Sequence, residues 1–298
     1  MVKRKQSAGG IVFDVINCTI MIILAFIMVY PFWAELVMSF TSSDSLVSLG
    51  QKFWPAKLSF ESYRVTFNFG AIPRGYLNTI IRAGFGIPLN ILFTFFGAFF
   101  LSKKHLPLRG FFTGMIIFTM FFSGGLIPSY LLIRNLGLVD SRFALILPSL
   151  TSAGWLVIAR NFLMTLPDAL EEAATIDGAS PPQILFRIVL PISTPIMAVI
   201  ALWSGVMHWN AWFDSMIYIS TNNKQVLQVV LRELLKATDP QTLMAMSEMG
   251  VEGLDLSQML AESIKAGALM VSIGPIIMLY PFLQKYFVKG LLVGSLKG

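Results

Sequence analysis

The chain has 298 residues, of which 55% are apolar and only 13% charged, with a mean hydropathy of +0.72, whereas a soluble domain carries about 25% charged residues. This composition excludes an ordinary soluble enzyme. The net charge of +6 is no nucleic-acid signature, because most of the basic residues flank apolar runs as membrane-facing anchors.

A helix crossing about 30 Å of hydrocarbon needs about 20 residues. Charge-free runs of that order predict spans at 15–34, 83–102, 110–133, 143–159, 188–207 and 266–284. The first follows Lys3-Arg4-Lys5 but ends in Tyr30, Phe32 and Trp33 with no small-x-small cleavage pattern, so it is expected to stay as a signal anchor. Its Cys18 forms no internal disulfide. Lys103, Lys104 and Arg109 fill the turn after the second span, and Lys285, Lys289 and Lys297 follow the last. With six crossings these basic sites and the 160–191 segment share one side, which the positive-inside rule makes cytoplasmic together with both termini. Segments 36–78 and 214–265 fall outside. In the second, Val226–Leu235 has helix-like spacing, Asp239-Pro240 makes a fresh start and Asp255 or Ser257 caps a helix running into the last span. With no repeat visible, residues 1–298 are read as a single transmembrane domain.

The polar stretch at 166–191 predicts two capped helices. Asp168 caps the first with Glu171 reaching back, Gly178 ends it in a left-handed turn, and Ser180, Pro181 and Gln183 open the second. Ala173 and Ala174 are small enough for close backbone approach, and Glu172 adds a carboxylate beside Glu171 and Asp177. The segment reads either as a docking knob or as an interfacial amphipathic hairpin.

Chemical equipment is sparse. The sequence has no G-x-x-x-x-G-K-[ST] phosphate loop, no H-E-x-x-H metal motif for His105 or His208, and no G-x-S-x-G turn. Trp203, Trp209, Trp212, Phe213 and Tyr218 cluster at the outer end of the fifth span, as a sugar-stacking surface or as an ordinary interfacial belt. Trp209 and Asn210 are taken together as pathway candidates, with Arg82 and Arg134. Those arginines, with Glu35, Arg142 and Arg160, are expected at span ends, where snorkelling accounts for them. No carboxylate is expected deep in a span, which argues against an ion-driven secondary transporter.

Glu172-Ala173-Ala174, Gly178, Ile188 and Leu190-Pro191 stand at the spacing of the EAA loop of bacterial ABC-importer permeases, which this segment resembles. The resemblance extends to Asn78-Thr79-Ile80, Ile127-Pro128, Leu136-Gly137-Leu138, Trp209-Asn210 and the tail from Val293 to Gly298. Nearly the whole chain is similar to carbohydrate-importer permeases related to the smaller maltose-importer membrane subunit. Phe122-Ser123-Gly124-Gly125 looks most like the branch for pectin-type oligosaccharides. This resemblance implies an all-α type I permease with six transmembrane helices in the bacterial cytoplasmic membrane. It further implies a second homologous permease chain, two ATPase subunits carrying ATP and Mg, and an extracellular or periplasmic sugar-binding protein. The chain itself would be non-catalytic and hold no cofactor, with Glu171, Glu172, Ala173, Ala174, Asp177, Gly178, Ile188, Leu190 and Pro191 coupling it to the ATPases. The tail would insert between the ATPases or end as a frayed terminus. A permease for a non-sugar solute shares the same loop and is the alternative.

Overall fold

A computed structural model describes residues 8–42, 53–55, 57–68, 70–237 and 263–278. The first basic triplet, the acidic part of segment 214–265 beyond 237, and the tail lie outside the described residues. Those described are helical, with a lone antiparallel bridge between Thr41 and Leu58 and no longer strand among them. The chain divides into two compact units.

In the first unit, α1 (Ala8–Ser39) contains the predicted first span and ends where Thr41 and Ser39 hydroxyls turn back onto the Val37 and Leu36 carbonyls. Such back-bonding satisfies carbonyls that a helix end leaves without partners. Trp33 Nε1 donates to the Phe53 carbonyl at 3.0 Å and its ring meets Trp54 edge-on. Helix α2 (Glu61–Asn68) opens with Ser59 Oγ accepting the Glu61 N–H. A last described helix, α13 (Ser263–Met278), approaches α2 through Gly267, where a Cβ would stand 3.2 Å from that of Ser62.

The second unit is built on α3 (Ala71–Ser102), continuous for 32 residues and packed against α6 (Ala153–Leu163) and α10 (Thr194–Asn210). Helix α3 contains the predicted second span, 83–102, and begins twelve residues earlier, with Arg82 accommodated inside the protein. Three other predicted spans are interrupted. Helices α4 (Arg109–Phe121) and α5 (Leu126–Asn135) meet at 114° across 122–125, where Gly125 has φ +84. Short 3-10 turns over Arg142–Ser149 lead into α6 at 48°. Helices α8 (Pro181–Ile184) and α9 (Leu190–Ile192) sandwich a π-helical turn at Leu185–Val189 and bend 86° into α10. There Leu190 N–H reaches back to Leu185 O, and the next residue, Pro191, has no N–H to continue an α ladder. Among the described residues, only Gly9–Ser39 and Ala71–Ser102 are long and apolar enough to cross a membrane as single helices; the bent pairs pass when each is taken together.

Helix α7 (Asp168–Ile176) lies between α6 and α8, while α11 (Phe213–Tyr218) and α12 (Leu227–Ala237) follow α10. Helix α12 matches the spacing seen at Val226–Leu235. One core, from Phe95, Ala98 and Phe99 through Ala159 and Leu163 to Ile196 and Ile200, also takes in Ala174 and Leu185. The 166–191 hairpin is therefore seated on the bundle by its own apolar side chains.

Candidate functional site

The hairpin is shaped at its corner by Gly178. Its φ of +79 is paid for by two bonds, Ala179 N–H to Ala174 O at 2.9 Å and Gly178 N–H to Thr175 O at 3.1 Å, a Schellman closure of α7. A Cβ there would meet nothing within 4 Å, so backbone conformation and not space demands glycine. Gln183 Oε1 accepts the Ser180 N–H at 2.7 Å, opening α8 as the sequence predicts.

The other expected cap is different. Asp168 and Glu171 do not close a box on the start of α7; their carboxylates reach across to the turn after α3. Glu171 pairs with Lys103, and Asp168 with Lys104 at 2.7 Å. Ammonium groups within reach outcompete a single backbone N–H, since bonds between ionised partners are the stronger kind. The Lys103 ammonium also lies 3.8 Å from the Phe99 ring centroid. Burial pushes the Lys103 ammonium down to about 8, against the Asp168 charge, which raises it. The Asp168 carboxyl is held below the usual carboxylate range by its bond to Lys104 and by that lysine's charge. Beside these pairs lies a cavity of about 520 Å³ lined by Ser102, Lys103, His105, Glu171, Glu172 and Ile176 among others.

The two alanines separate. Ala174 is buried in the core, whereas Ala173 and Glu172 are exposed beside Ile176, which is 86% exposed. Ala169, Glu172, Ala173 and Ile176 follow the i, i+3, i+4, i+7 rule, so they form one outward face. A nearly bare isoleucine thus stands on a face of small residues. Asp177 is exposed at the end of α7. Ile188 and Leu190 are partly buried against the core and hold the hairpin down, and Pro191 is exposed.

Far along α3, a second constellation involves residues that the sequence pattern carries but that charge-free runs conceal. Asn78, Arg82, Gly86, Asn90, Thr94, Ala98 and Ser102 recur at every fourth position and so share one stripe of the helix. Asn78 Nδ2 donates to the Asn223 and Gln225 carbonyls at 2.8 and 2.9 Å, while Arg142 donates to its Oδ1. Arg82, only 4% exposed, binds both carboxylate oxygens of Asp214 and donates from Nε to His208 Nδ1 at 3.2 Å. That bond assigns the ring proton to Nε2, which faces Asn90 Oδ1 at 2.8 Å. Ser204 donates to the same oxygen and Asn90 Nδ2 donates to the Ser149 carbonyl. Thr94 meets Thr151 at 3.0 Å. Around the Asn78 end, Asp140 accepts from Ser220 N–H, Thr221 N–H and hydroxyl, and Lys224. The Lys224 bond, then those from Thr221, holds its carboxyl far below the usual range.

These contacts revise the pathway candidates. Arg82 does not snorkel at a span end: it is well inside α3, and a carboxylate, Asp214, comes in to meet it. Trp209 is buried against Tyr76, whereas Asn210 and Arg134 are exposed. Arg142 and Arg160 are likewise bonded within the protein, to Asn78 and to the Leu101 carbonyl.

No protein-family model matches the chain. It is 35% identical over 286 residues to the polygalacturonan/rhamnogalacturonan transport system permease protein YtcP of Bacillus subtilis, covering 96% of this chain and 98% of that one. To protein LplC of the same organism it is 35% identical over 293 residues, covering 98% and 97%. Among solved structures, a bacterial ABC transporter involved in the import of the acidic polysaccharide alginate has a chain superposing with a TM-score of 0.84. That match has 30% identity and covers 96% of this chain and 100% of the other.

Proposed function

The chain belongs to the carbohydrate-uptake permeases of ABC transporters, and from that premise we propose that it forms one half of a pathway for an acidic, pectin-type oligosaccharide. Each bent helix pair counts as one span, which with α1, α3 and the helix entering at Ser263 gives six crossings and both termini in the cytoplasm. The chain carries out no chemistry. ATP and Mg belong to two ATPase subunits below, a second permease chain completes the pathway, and a binding protein delivers the sugar from outside.

The observation that carries this reading is the outward face of α7. Ala169, Glu172, Ala173 and Ile176 form a small, apolar surface with one carboxylate, closed by the Gly178 turn and fixed to the bundle through Ala174. ATP-driven closure of the ATPases moves this knob, and the bundle switches between two packings. Of the pathway candidates, Asn210 and Arg134 are exposed and meet the solute, while Trp209 and Arg82 are buried and hold the bundle together.

The acidic substrate is supported by the names of two relatives, one a polygalacturonan/rhamnogalacturonan permease and the other an alginate importer. Uptake of radiolabelled oligogalacturonate by the assembled importer, competed by uronate-containing and by neutral oligosaccharides, tests it. Competition by the acidic compounds alone is expected; competition by neutral ones alone rejects the acidic assignment. Cross-linking from Ala173→Cys to an ATPase subunit tests the docking face, and its absence in an assembled complex rejects that assignment.

A further inference from the structure

The carboxyl end of α3 collects more positive charge than its own capping uses. A helix leaves its last carbonyls without intrahelical partners and carries partial negative charge there. In α3 the Leu101 carbonyl accepts from both Arg109 Nε and Arg160 Nε, each at 3.1 Å. Lys103 donates its backbone N–H to the Phe100 carbonyl, so its ammonium is not required for the cap. Its ammonium rests on the face of Phe99 and is paired with Glu171 of α7. Phe99 is itself buried in the core that Ala174 enters. The neighbouring pair, Lys104 with Asp168, is 67% and 69% exposed, and ion pairs so open to water contribute little. Lys103 and Glu171 are 30% and 31% exposed, and an aromatic ring bounds the ammonium on another side.

Two kinds of contact therefore join α7 to the bundle. Ala174 packs without directional bonds, and such packing tolerates sliding. The Lys103–Glu171 pair is directional and ends on the backbone turn that closes α3. From that turn α3 runs unbroken to Ala71, roughly 48 Å at 1.5 Å per residue. On the way Thr94, Asn90 and Arg82 bind Thr151, Ser149, His208 and Asp214. At the far end Asn78 holds the 223 and 225 carbonyls, and Thr79 Oγ1 accepts the Leu227 N–H at 2.9 Å.

We propose that Lys103 is the joint that delivers displacement of α7 to α3, and that the polar stripe of α3 carries it as one body to the loop at 222–227. The assignment rests on the reading of α7 as the coupling helix. It makes Lys103 a positioning residue: it touches neither ATP nor sugar, and acts by preventing α7 from slipping over the bundle when pushed.

The test uses the complete importer in proteoliposomes and measures oligogalacturonate uptake per ATP hydrolysed, together with stimulation of hydrolysis by the binding protein. K103M and E171Q should each lower both ratios roughly five- to tenfold, the usual scale of coupling between sites. The double variant should be no worse than either single one, and K103R should stay close to the unaltered complex. Additive losses, or full coupling in K103M, overturn the proposal. If K103M does not assemble, E171Q, which keeps size and packing, decides with K103R. If A173C fails to cross-link to an ATPase, the coupling-helix reading and the joint fall together. If it cross-links while E171Q remains fully coupled, only the joint falls. If the unaltered complex imports no oligogalacturonate, the substrate reading fails and the stimulated hydrolysis rate still decides on Lys103.

Discussion

At the scale of single residues, glycines separate conformational need from spatial need. Gly178 has open space but a positive φ, so Gly178→Ala is expected to cost about 1 kcal/mol or more through backbone strain alone. Gly178→Asn should be milder, since asparagine tolerates the left-handed region. Thermal unfolding of the detergent-solubilised complex should rank them Gly, Asn, Ala. Gly86 is the opposite case: a Cβ there would fall 2.2 Å from His208 Nε2, while one at Gly84 would meet nothing within 4 Å. G84A should be neutral or slightly stabilising, by up to about 1 kcal/mol of helix propensity, and G86A clearly destabilising in the same assay. Arg82→Gln strips Asp214 and His208 of their shared partner; breaking a fully buried pair costs about 3 kcal/mol or more, and with Asp214 29% exposed the loss here should be smaller than that. We expect lower stability with an unchanged substrate range; a changed range without a stability loss would return Arg82 to the pathway.

At the scale of elements, the Lys103 ammonium gives α7 a pH response with two opposite signs. Its value in the folded protein, about 8, lies below the ordinary 10.5, so between those limits the unfolded chain binds the proton more tightly and stability rises with pH. Over the same window the neutral amine loses its attraction to Glu171, so uptake per ATP should fall as pH passes 8. K103R should flatten that fall in a pH series from 7 to 9. How much of this architecture the sequence discloses depends on what ends an element. The Gly178 corner, the Ser180–Gln183 opening of α8 and α12 follow from local chemistry and are legible. The 114° break at 122–125 lies inside an apolar run, where charge counting is blind; Gly124-Gly125 and Pro128 are its local traces. Arg82 misled in the other direction, since a charge satisfied by protein carries no information about lipid depth. Its partners Asp214 and His208 are more than a hundred residues away, and only the four-residue recurrence from Asn78 to Ser102 signals that such partners exist. Similarly, the acidic start of α7 suggested a self-contained cap because the lysines that capture Asp168 and Glu171 come from a turn some sixty residues earlier.

At the scale of the molecule, the resemblance carried by the EAA loop extends to the whole chain, as the 35% identity to two permeases and the fold match to the alginate importer show. The hairpin that bears the loop and the ionic turn after α3 meet at one end of the second unit, and the Asp140 and Asn78 clusters organise the other. Raising ionic strength should separate these ends. The Lys103–Glu171 pair, on which coupling depends, is 30% and 31% exposed and is weakened by screening, whereas the shielded guanidinium of Arg82 is not. Salt should therefore reduce coupling before it reduces unfolding temperature, and a parallel decline would argue against the distinction. The row of hydrogen-bonding groups along α3 also restricts which degrees of freedom a pump of this design can use. Rolling that helix about its axis by a single residue, about 100°, would swing a guanidinium, two amides and a hydroxyl toward hydrocarbon and strand their partners. We expect α3 and α10, which these bonds tie together, to tilt as one plank during alternating access and not to slide past one another.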